Sequence, residues 1–522
     1  MTLRLSTIAV LLAAVAVAPA AGAQSGAPAR TVAAPAPDRA VLAPAARQAL
    51  GIQTDAGAAL YARAYADALA FRLDAAEAGF RELGAVEPGP AAAYGLESAA
   101  LWRALMTDDD GDYDRFYALN DSLGGVAGRL GDAPGARLVA AVGTLHRALA
   151  LGRQERYARA GNAFRDACGA FRALDGPDAQ FGQGVCEVAA GAVPRKYRWL
   201  ARLFGFRGTV AGGLGRLDAA SLAGGALAVD AAVGLAVSDA TLNERRAGSV
   251  DRLVALAAAH PDSPVLAYLA GYHLLLDRRA AQAEAELRRA QAAARAPGVA
   301  AVPFVEAHLG TALFRQRRWA EAAETLESFA RTFRGRSLVA PATLDAGIAY
   351  EMTGDRARAE RLYRRVRAQR DYDSDLSAER EAQRRLAAPM TGAERALVAG
   401  GAAYDAGDYD DAVRLLQPVV TDAALSDAVR AEAAYRTGRA RQAQEQWADA
   451  LRHFRLAADN PGDPLAKWGP WSVYHAGEVH EATGDLDRAE ARYREALANE
   501  SEFDYHKSLE QRTRAALERI GR

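Results

Sequence analysis

Small and bulky apolar residues recur along this chain at spacings that fit paired helices rather than strands. With Gly271, Gly310, Gly347, Gly400, Gly438 and Gly477 as anchors, an alanine stands twelve residues after each, at Ala283, Ala322, Ala359, Ala412, Ala450 and Ala489. Sixteen residues after each anchor stands a large side chain: Leu287, Leu326, Tyr363, Leu416, Phe454 and Tyr493. Nineteen after, the set is Ala290, Phe329, Val366, Val419, Ala457 and Ala496. The pattern predicts two antiparallel helices per unit. They cross closely where glycine and alanine let the backbones approach, and the bulky residue fills the space alongside. The turn between them reads Gly354-Asp355, Gly407-Asp408 and Gly484-Asp485 in three units. There Gly takes the left-handed conformation that ends a helix and Asp caps the next one. Trp319, Trp447 and Tyr409 follow the turn at packing positions.

This spacing resembles the tetratricopeptide repeat, whose unit is about 34 residues. The anchors here are 39, 37, 53, 38 and 39 residues apart, so the connections are longer, and the 53-residue step holds an insertion near 370–390 with a charged helix over Asp375 to Leu386. The resemblance covers about Val250 to Ala496. It implies an all-α, right-handed superhelical solenoid of antiparallel helix pairs, extended to residue 522 by a C-terminal capping helix. The concave groove of such a solenoid, lined by first-helix side chains, takes a protein or peptide. By the same resemblance the groove positions lie one and four residues after each anchor and three or six before it. They include Tyr272, Phe314, Glu351, Tyr404, Tyr435, Arg439, Trp471, Tyr474, Glu478 and Glu481. Packing between repeats is the alternative role for each.

Residues 56–249 keep this grammar less regularly. Tyr157, Ala160, Phe164 and Ala167 repeat the second-helix pattern, as do Leu73, Ala76 and Phe80, while Tyr94 to Met106 and Ala136 to Leu151 read as partner helices. The segment Trp199 to Leu217 departs from it. Its Gly205, Phe206, Gly208, Gly213, Leu214 and Leu217 resemble an element of the tetratricopeptide repeat protein 39 group and the related fungal inclusion-body clearance protein. That likeness implies a helical-repeat protein without a catalytic centre.

The N-terminus changes the picture of compartment. Met1-Thr2-Leu3-Arg4, the apolar stretch Leu5 to Ala18, and Ala21-Gly22-Ala23 form the three parts of a secretory signal peptide over residues 1–23. Residues 24–55 begin as an Ala/Pro-rich stretch that reads as a flexible leader. The expectation is an exported protein, periplasmic or associated with the outer membrane, with peripheral membrane attachment left open. An oxidising compartment makes Cys168 and Cys186, on consecutive antiparallel helices, a candidate disulfide; two buried thiols are the alternative.

Charge and motif searches narrow the function. The 64 Lys+Arg against 65 Asp+Glu leave no basic surplus, so no nucleic-acid partner is expected. The glycine-rich stretch lacks a Gly-Lys-Ser/Thr sequence and a preceding strand, so close helix packing explains it better than phosphate binding. His475 and His480 flank Glu478, but five residues place them roughly 140° apart around a helix, which does not suit zinc. Asp108 to Asp114 has the composition of a calcium loop, yet Met106 and Tyr117 stand where its first and last acidic ligands belong. No nucleophile motif is present. The reading is therefore an exported binding scaffold for a protein or peptide in cell-envelope assembly or maintenance, with no cofactor, no metal and no enzymatic activity. An enzyme or enzyme subunit acting on envelope polymers, with the solenoid as collar, is the alternative.

Overall fold

A computed structural model describes residues 42–133, 135–193, 207–242, 247–369, 372–459, 467–499 and 503–521. The stretch read as signal peptide, most of the leader, and residues 199–206 of the glycine-rich segment lie outside them. The described residues form twenty-five helices in two compact units. The first unit runs to His273 and takes in Ala285–Val305; the second comprises Leu274–Glu284 and the chain from Glu306 onward.

The first unit contains α1 (Pro44–Leu50), α2 (Asp55–Leu69), α3 (Leu73–Val86), α4 (Pro90–Thr107), α5 (Asp110–Leu130), α6 (Ala136–Arg153), α7 (Tyr157–Arg172), α8 (Pro177–Gly191), α9 (Val210–Leu222), α10 (Ala228–Leu242) and α11 (Ala247–Ala259). Most of α12 (Pro264–Leu276) and of α13 (Ala280–Ala294) also belongs to it. The second contains α14 (Phe304–Arg315), apart from its first two residues, then α15 (Trp319–Thr332), α16 (Val339–Met352), α17 (Arg356–Tyr363), α18 (Asp373–Ala387), α19 (Gly392–Ala406), α20 (Tyr409–Thr421), α21 (Asp427–Ala443), α22 (Trp447–Asp459), α23 (Trp468–Ala482), α24 (Leu486–Leu497) and α25 (His506–Arg519).

The repeat arithmetic reappears as packing. A Cβ added at Gly310, Gly347, Gly400, Gly438 or Gly477 would lie 2.5 to 2.7 Å from the residue sixteen positions on, namely Leu326, Tyr363, Leu416, Phe454 or Tyr493. The alanines twelve positions on, from Ala322 to Ala489, are fully buried. Glycine at the anchor is thus a steric requirement: the first helix of each pair lies directly on a large side chain of the second.

The turn is more general than its sequence signature. Nine turns place the residue two before a second helix in the left-handed region: Phe71, Asp108, Glu155, Arg278, Arg317, Gly354, Gly407, Glu445 and Gly484. Only three are glycine, so the Gly-Asp motif marks a third of the turns that share this geometry. The acidic run at Asp108 to Asp114 is one of them. Asp109 caps α5 by accepting from the backbone N–H of Gly111 and Asp112 at 2.9 and 3.2 Å.

In the first unit the first helices α2, α4, α6 and α8 pack on one another as well as on their own partners. In the second, α19, α21 and α23 do the same. Among the described residues no comparable packing joins the second helices α3, α5 and α7, or α20, α22 and α24, so there the first helices form an inner layer and the second helices an outer layer whose members diverge. The fold is accordingly an all-α solenoid of antiparallel helix pairs.

Three local features refine the sequence reading. The leader is helical from Pro44 on: proline suits the first turn, and Ala46 and Leu50 bury themselves as part of the first unit's core. The insertion is the helix α18, tied to the start of α25 by Ser377, whose Oγ donates to Asp504 at 3.0 Å, by the Arg380–Asp504 ion pair, and by Ser508 donating to Asp373 at 2.8 Å. Cys168 on α7 and Cys186 on α8 are joined as a disulfide, with Cα atoms 5.8 Å apart.

Candidate functional site

The ten groove positions do not share one fate. Tyr272, in the first unit, is buried and stacks on Tyr268 at 6.3 Å between ring centres. Phe314 meets Trp319 edge-on at 4.9 Å, across its own turn. Glu351, expected in the groove, is 1% exposed. Its carboxylate accepts from Arg356 Nη1 at 2.9 Å, the Tyr363 hydroxyl at 2.8 Å and the Met390 backbone at 2.7 Å. The chain leaving the inserted helix covers it, and it serves as an internal clamp. Glu481 is similarly taken, by the Tyr493 hydroxyl at 2.6 Å and by Arg519 at 2.6 and 2.8 Å.

Five others, Tyr435, Arg439, Trp471, Tyr474 and Glu478, converge on His475 in the middle of α23, while Tyr404 packs on Tyr409, its ring centre 5.7 Å away, and reaches the cluster only through Arg439. Arg439, one turn along α21, donates from Nη1 to His475 Nε2, and the Tyr435 hydroxyl lies 3.3 Å from the same nitrogen. Glu478, one turn further along α23, lies with Oε2 2.6 Å from His475 Nδ1. Since a guanidinium can only donate, Nε2 must be the acceptor, and Nδ1 carries the proton given to Glu478. The tautomer follows from the partners. Gln442 donates a further bond to the same Glu478 oxygen at 3.1 Å. Trp471 and Tyr474 complete the cage, their ring centres 5.6 and 5.1 Å from that of His475.

The electrostatics agree with this assignment. Burial and then the neighbouring Arg439 push the His475 pKa down to about 4, so the ring is neutral at pH 7. Burial alone would raise the Glu478 carboxyl, but its bond from His475, the Arg439 charge and Gln442 outweigh that and hold it well below the usual carboxylate range. Lys467 is lowered to about 8, first by burial and then by Arg436.

Sequence reasoning missed the cations that face these rings. Arg278, in the turn before α13, lies 4.4 Å over the Tyr404 ring, which Arg439 approaches at 5.8 Å. Arg436 and Lys467 lie 5.1 and 4.9 Å over the Trp468 ring, and Arg512 lies 5.5 Å over Trp471. Arg436 and Lys467 carry a sequence signal, since each stands beside an aromatic residue, Tyr435 and Trp468. Arg278 and Arg512 come from a turn and from the final helix, with no such neighbour among the cluster's rings. Within this region Arg278 Nε, Arg439 Nε, Gln442 Oε1, Trp471 Nε1 and Ser472 Oγ are buried without a hydrogen-bond partner.

The arrangement suits binding rather than proton transfer. His475 has both nitrogens engaged, so no lone pair is left for a general base. Among the described residues no group of three His, Cys, Asp or Glu side chains could hold a metal, and no helix is long and apolar enough to cross a membrane. What remains is a set of rings, guanidiniums and unsatisfied donors and acceptors, with Tyr404, Tyr435, Trp468 and Glu478 partly exposed at the rim.

Fold and site together define a helical-repeat protein with a polar, aromatic cluster on its inner layer. No family model matches the sequence, and no curated protein does. Among solved structures, the human IFIT1 dimer with m7Gppp-AAAA is 14% identical over 83% of this chain and 94% of its own, with a TM-score of 0.30. Yeast Tom70 is 10% identical over 85% of this chain and 97% of its own, also at 0.30. Likenesses so remote carry no argument about this chain's ligand.

Proposed function

We propose that the chain is an exported helical-repeat scaffold that binds a protein or peptide partner on the first-helix layer of its second unit, in the assembly or maintenance of a cell envelope. The observation that carries this reading is the cluster around His475. Four buried polar atoms there, and Arg278 Nε beside the adjoining Tyr404, lack a partner, and each such group costs about 1–3 kcal/mol when left unsatisfied. Rings with cations on their faces stand beside them at a half-exposed rim, the composition of an interface hot spot. The sequence of residues 1–23 supports export, and the Cys168–Cys186 bond suits an oxidising compartment.

The test uses rim residues, because Trp471 and Tyr474 belong to a buried core cluster and their loss would unfold the last repeats. Wild-type protein and a Tyr404→Ser variant are compared in capture from an envelope fraction, followed by affinity measurement with the captured protein once purified. Loss of about 2 kcal/mol in affinity, roughly thirtyfold, is expected at a temperature where both proteins are fully folded; Tyr404 also packs on the Ala403 core and under Arg278, so some lowering of the melting temperature accompanies it. A purified partner that binds both proteins equally, or no envelope protein captured by either, overturns the reading. Export is checked separately, by finding Gln24 at the N-terminus of protein recovered from the producing cells.

A further inference from the structure

The outer layer of the first unit contains a second site, unrelated to the inner-layer cluster. Because the second helices diverge, α5 and α7 stand apart over α6 and leave a cleft of about 430 Å³ between them. The size is that of a small-molecule site. Its walls are Tyr117 from α5, Thr144, Arg147 and Leu151 from α6, and a face of α7 with its entry turn that includes Arg156, Arg159 and Asp166.

One side of the cleft is held rigid. Arg147 donates to Asn120 Oδ1 at 3.0 Å and to Asp121 Oδ1 at 2.6 Å, and its guanidinium lies 5.4 Å from the Tyr117 ring centre. The Tyr117 hydroxyl donates to Gln154 Oε1 at 2.9 Å. Ring and guanidinium therefore keep one geometry whether or not the cleft is filled.

The other side is cationic and unpaired. An arginine occupies the residue just before a second helix at four turns: Arg72, Arg156, Arg279 and Arg318. Arg72 pairs with Asp67, Arg279 with Asp277, and Arg318 with both Glu284 and Glu321. Arg156 has no carboxylate within ion-pair distance among the described residues, and neither does Arg159, one turn on. Both cations also stand at the start of α7, which has no acidic residue in its first turn and no side-chain cap. Positive charge at the positive end of a helix is an unfavourable placement, and a bound anion would relieve it. The only carboxylate lining the cleft is Asp166, at its far end and largely exposed, with Arg165 3.5 Å away.

We infer that this cleft binds a small oxyanion carrying two or more negative charges, held by Arg147, Arg156 and Arg159 against the Tyr117 ring. Planar guanidiniums match the paired oxygens of carboxylate and phosphate groups alike, so the shared chemistry is the multivalent oxyanion. Pyrophosphate and citrate represent its two sources.

The test is titration calorimetry of the full chain with each anion at low salt, using wild type, Arg156→Ala/Arg159→Ala and Arg156→Lys/Arg159→Lys. Both arginines are exposed, so neither double variant should move the melting temperature. The expected result is saturable binding of one anion or both, weakened at least tenfold in the alanine variant and less in the lysine variant; the tighter anion identifies the head group. Absence of saturable binding by both anions, or affinities that the alanine variant leaves unchanged, overturns the inference. Neither outcome touches the partner site of the second unit, whose test uses a different variant and readout.

Discussion

Gly438→Ala probes the rule that the first helix of a pair lies on a bulky side chain of the second. The new Cβ would sit 2.7 Å from both Cδ1 and Cε1 of Phe454, where ordinary contact begins at 3.4 Å, an overlap of about 0.7 Å. Phe454 is 1% exposed and its ring is boxed in by Tyr435 and His475, with centres 6.5 and 5.8 Å away, so it cannot swing aside. Overpacking of this kind costs about 1–3 kcal/mol, while alanine in place of a mid-helix glycine returns up to about 1 kcal/mol. The net expectation is a loss of about 0–2 kcal/mol. A double-mutant cycle sharpens it. Phe454→Leu removes the colliding ring edge and costs about 1–2 kcal/mol alone, but the double variant should be better than the sum by about 1–2 kcal/mol. Urea unfolding followed by tryptophan fluorescence suits the measurement, since Trp319, Trp447, Trp468 and Trp471, four of the six tryptophans, belong to the second unit. Two units need not unfold together, so the transition that carries this signal is the one to fit. If Gly438→Ala is more stable than wild type, or the two changes add within about 0.5 kcal/mol, the steric account of the anchor is wrong.

Three further outcomes follow from other parts of the molecule. Glu445 is exposed with φ of 58°, a left-handed conformation costing a side-chain-bearing residue about 1 kcal/mol, so Glu445→Gly should stabilise the second unit by up to about 0.5–1 kcal/mol in the same assay. The Cys168–Cys186 bond closes a loop with a sequence separation of 18, and its removal as Cys168→Ala/Cys186→Ala should cost about 2–3 kcal/mol in the first unit, with non-reducing peptide mapping of wild type to establish the bond. His475, lowered in the folded state to about 4 from an unfolded value of about 6.5, makes the fold bind fewer protons than the unfolded chain between those limits, so its contribution costs stability as pH falls from about 6.5 to 4, up to about 3 kcal/mol. Asp345, raised by burial to about 7, acts in the opposite direction over the same range, so the test is wild type minus His475→Gln: a difference that stays flat from pH 7 to 4 would show that His475 is not held neutral.

The helix pairs of the second unit were legible because one physical demand recurs at a fixed spacing. Where two backbones nearly touch, only glycine or alanine fits, and the partner side chain must then be large; Gly347 against Tyr363 and Gly477 against Tyr493 repeat that demand. The first unit meets the same demand differently. Gly95 lies on Phe80, which belongs to the preceding pair, and Gly182 on Phe171 likewise, so the close approach falls between pairs and the spacing from glycine to bulky residue changes sign. A search built on one register therefore finds the second unit and sees only fragments of the first. The left-handed conformation of a turn is legible only where glycine is used; the repeat spacing places the turns before Trp319 and Trp447, but nothing in the identity of Arg278, Arg317 or Glu445 announces that they adopt the same geometry.

The candidate site was legible as a helix face but not as a surface. Positions one and four residues after an anchor do lie on the inner layer, yet the sequence cannot say how tightly neighbouring first helices close over them. Around Glu351 the inserted helix and Met390 supply the cover, so the carboxylate is spent inside the fold. At His475 the neighbour on α21 is Arg439, a residue that must donate and cannot accept, and it therefore leaves a bonded but incompletely satisfied cluster instead of a sealed apolar core. The cations that complete this cluster arrive from elements far apart in sequence: Arg278 from the turn before α13, Lys467 from the entry to α23 and Arg512 from α25. No periodicity links them, because each answers to the rings it covers and not to the repeat. Apolar burial follows the repeat; the charged side chains follow the geometry that the repeat leaves over, both at the partly exposed rim of Tyr404 and in the cleft where α5 and α7 diverge.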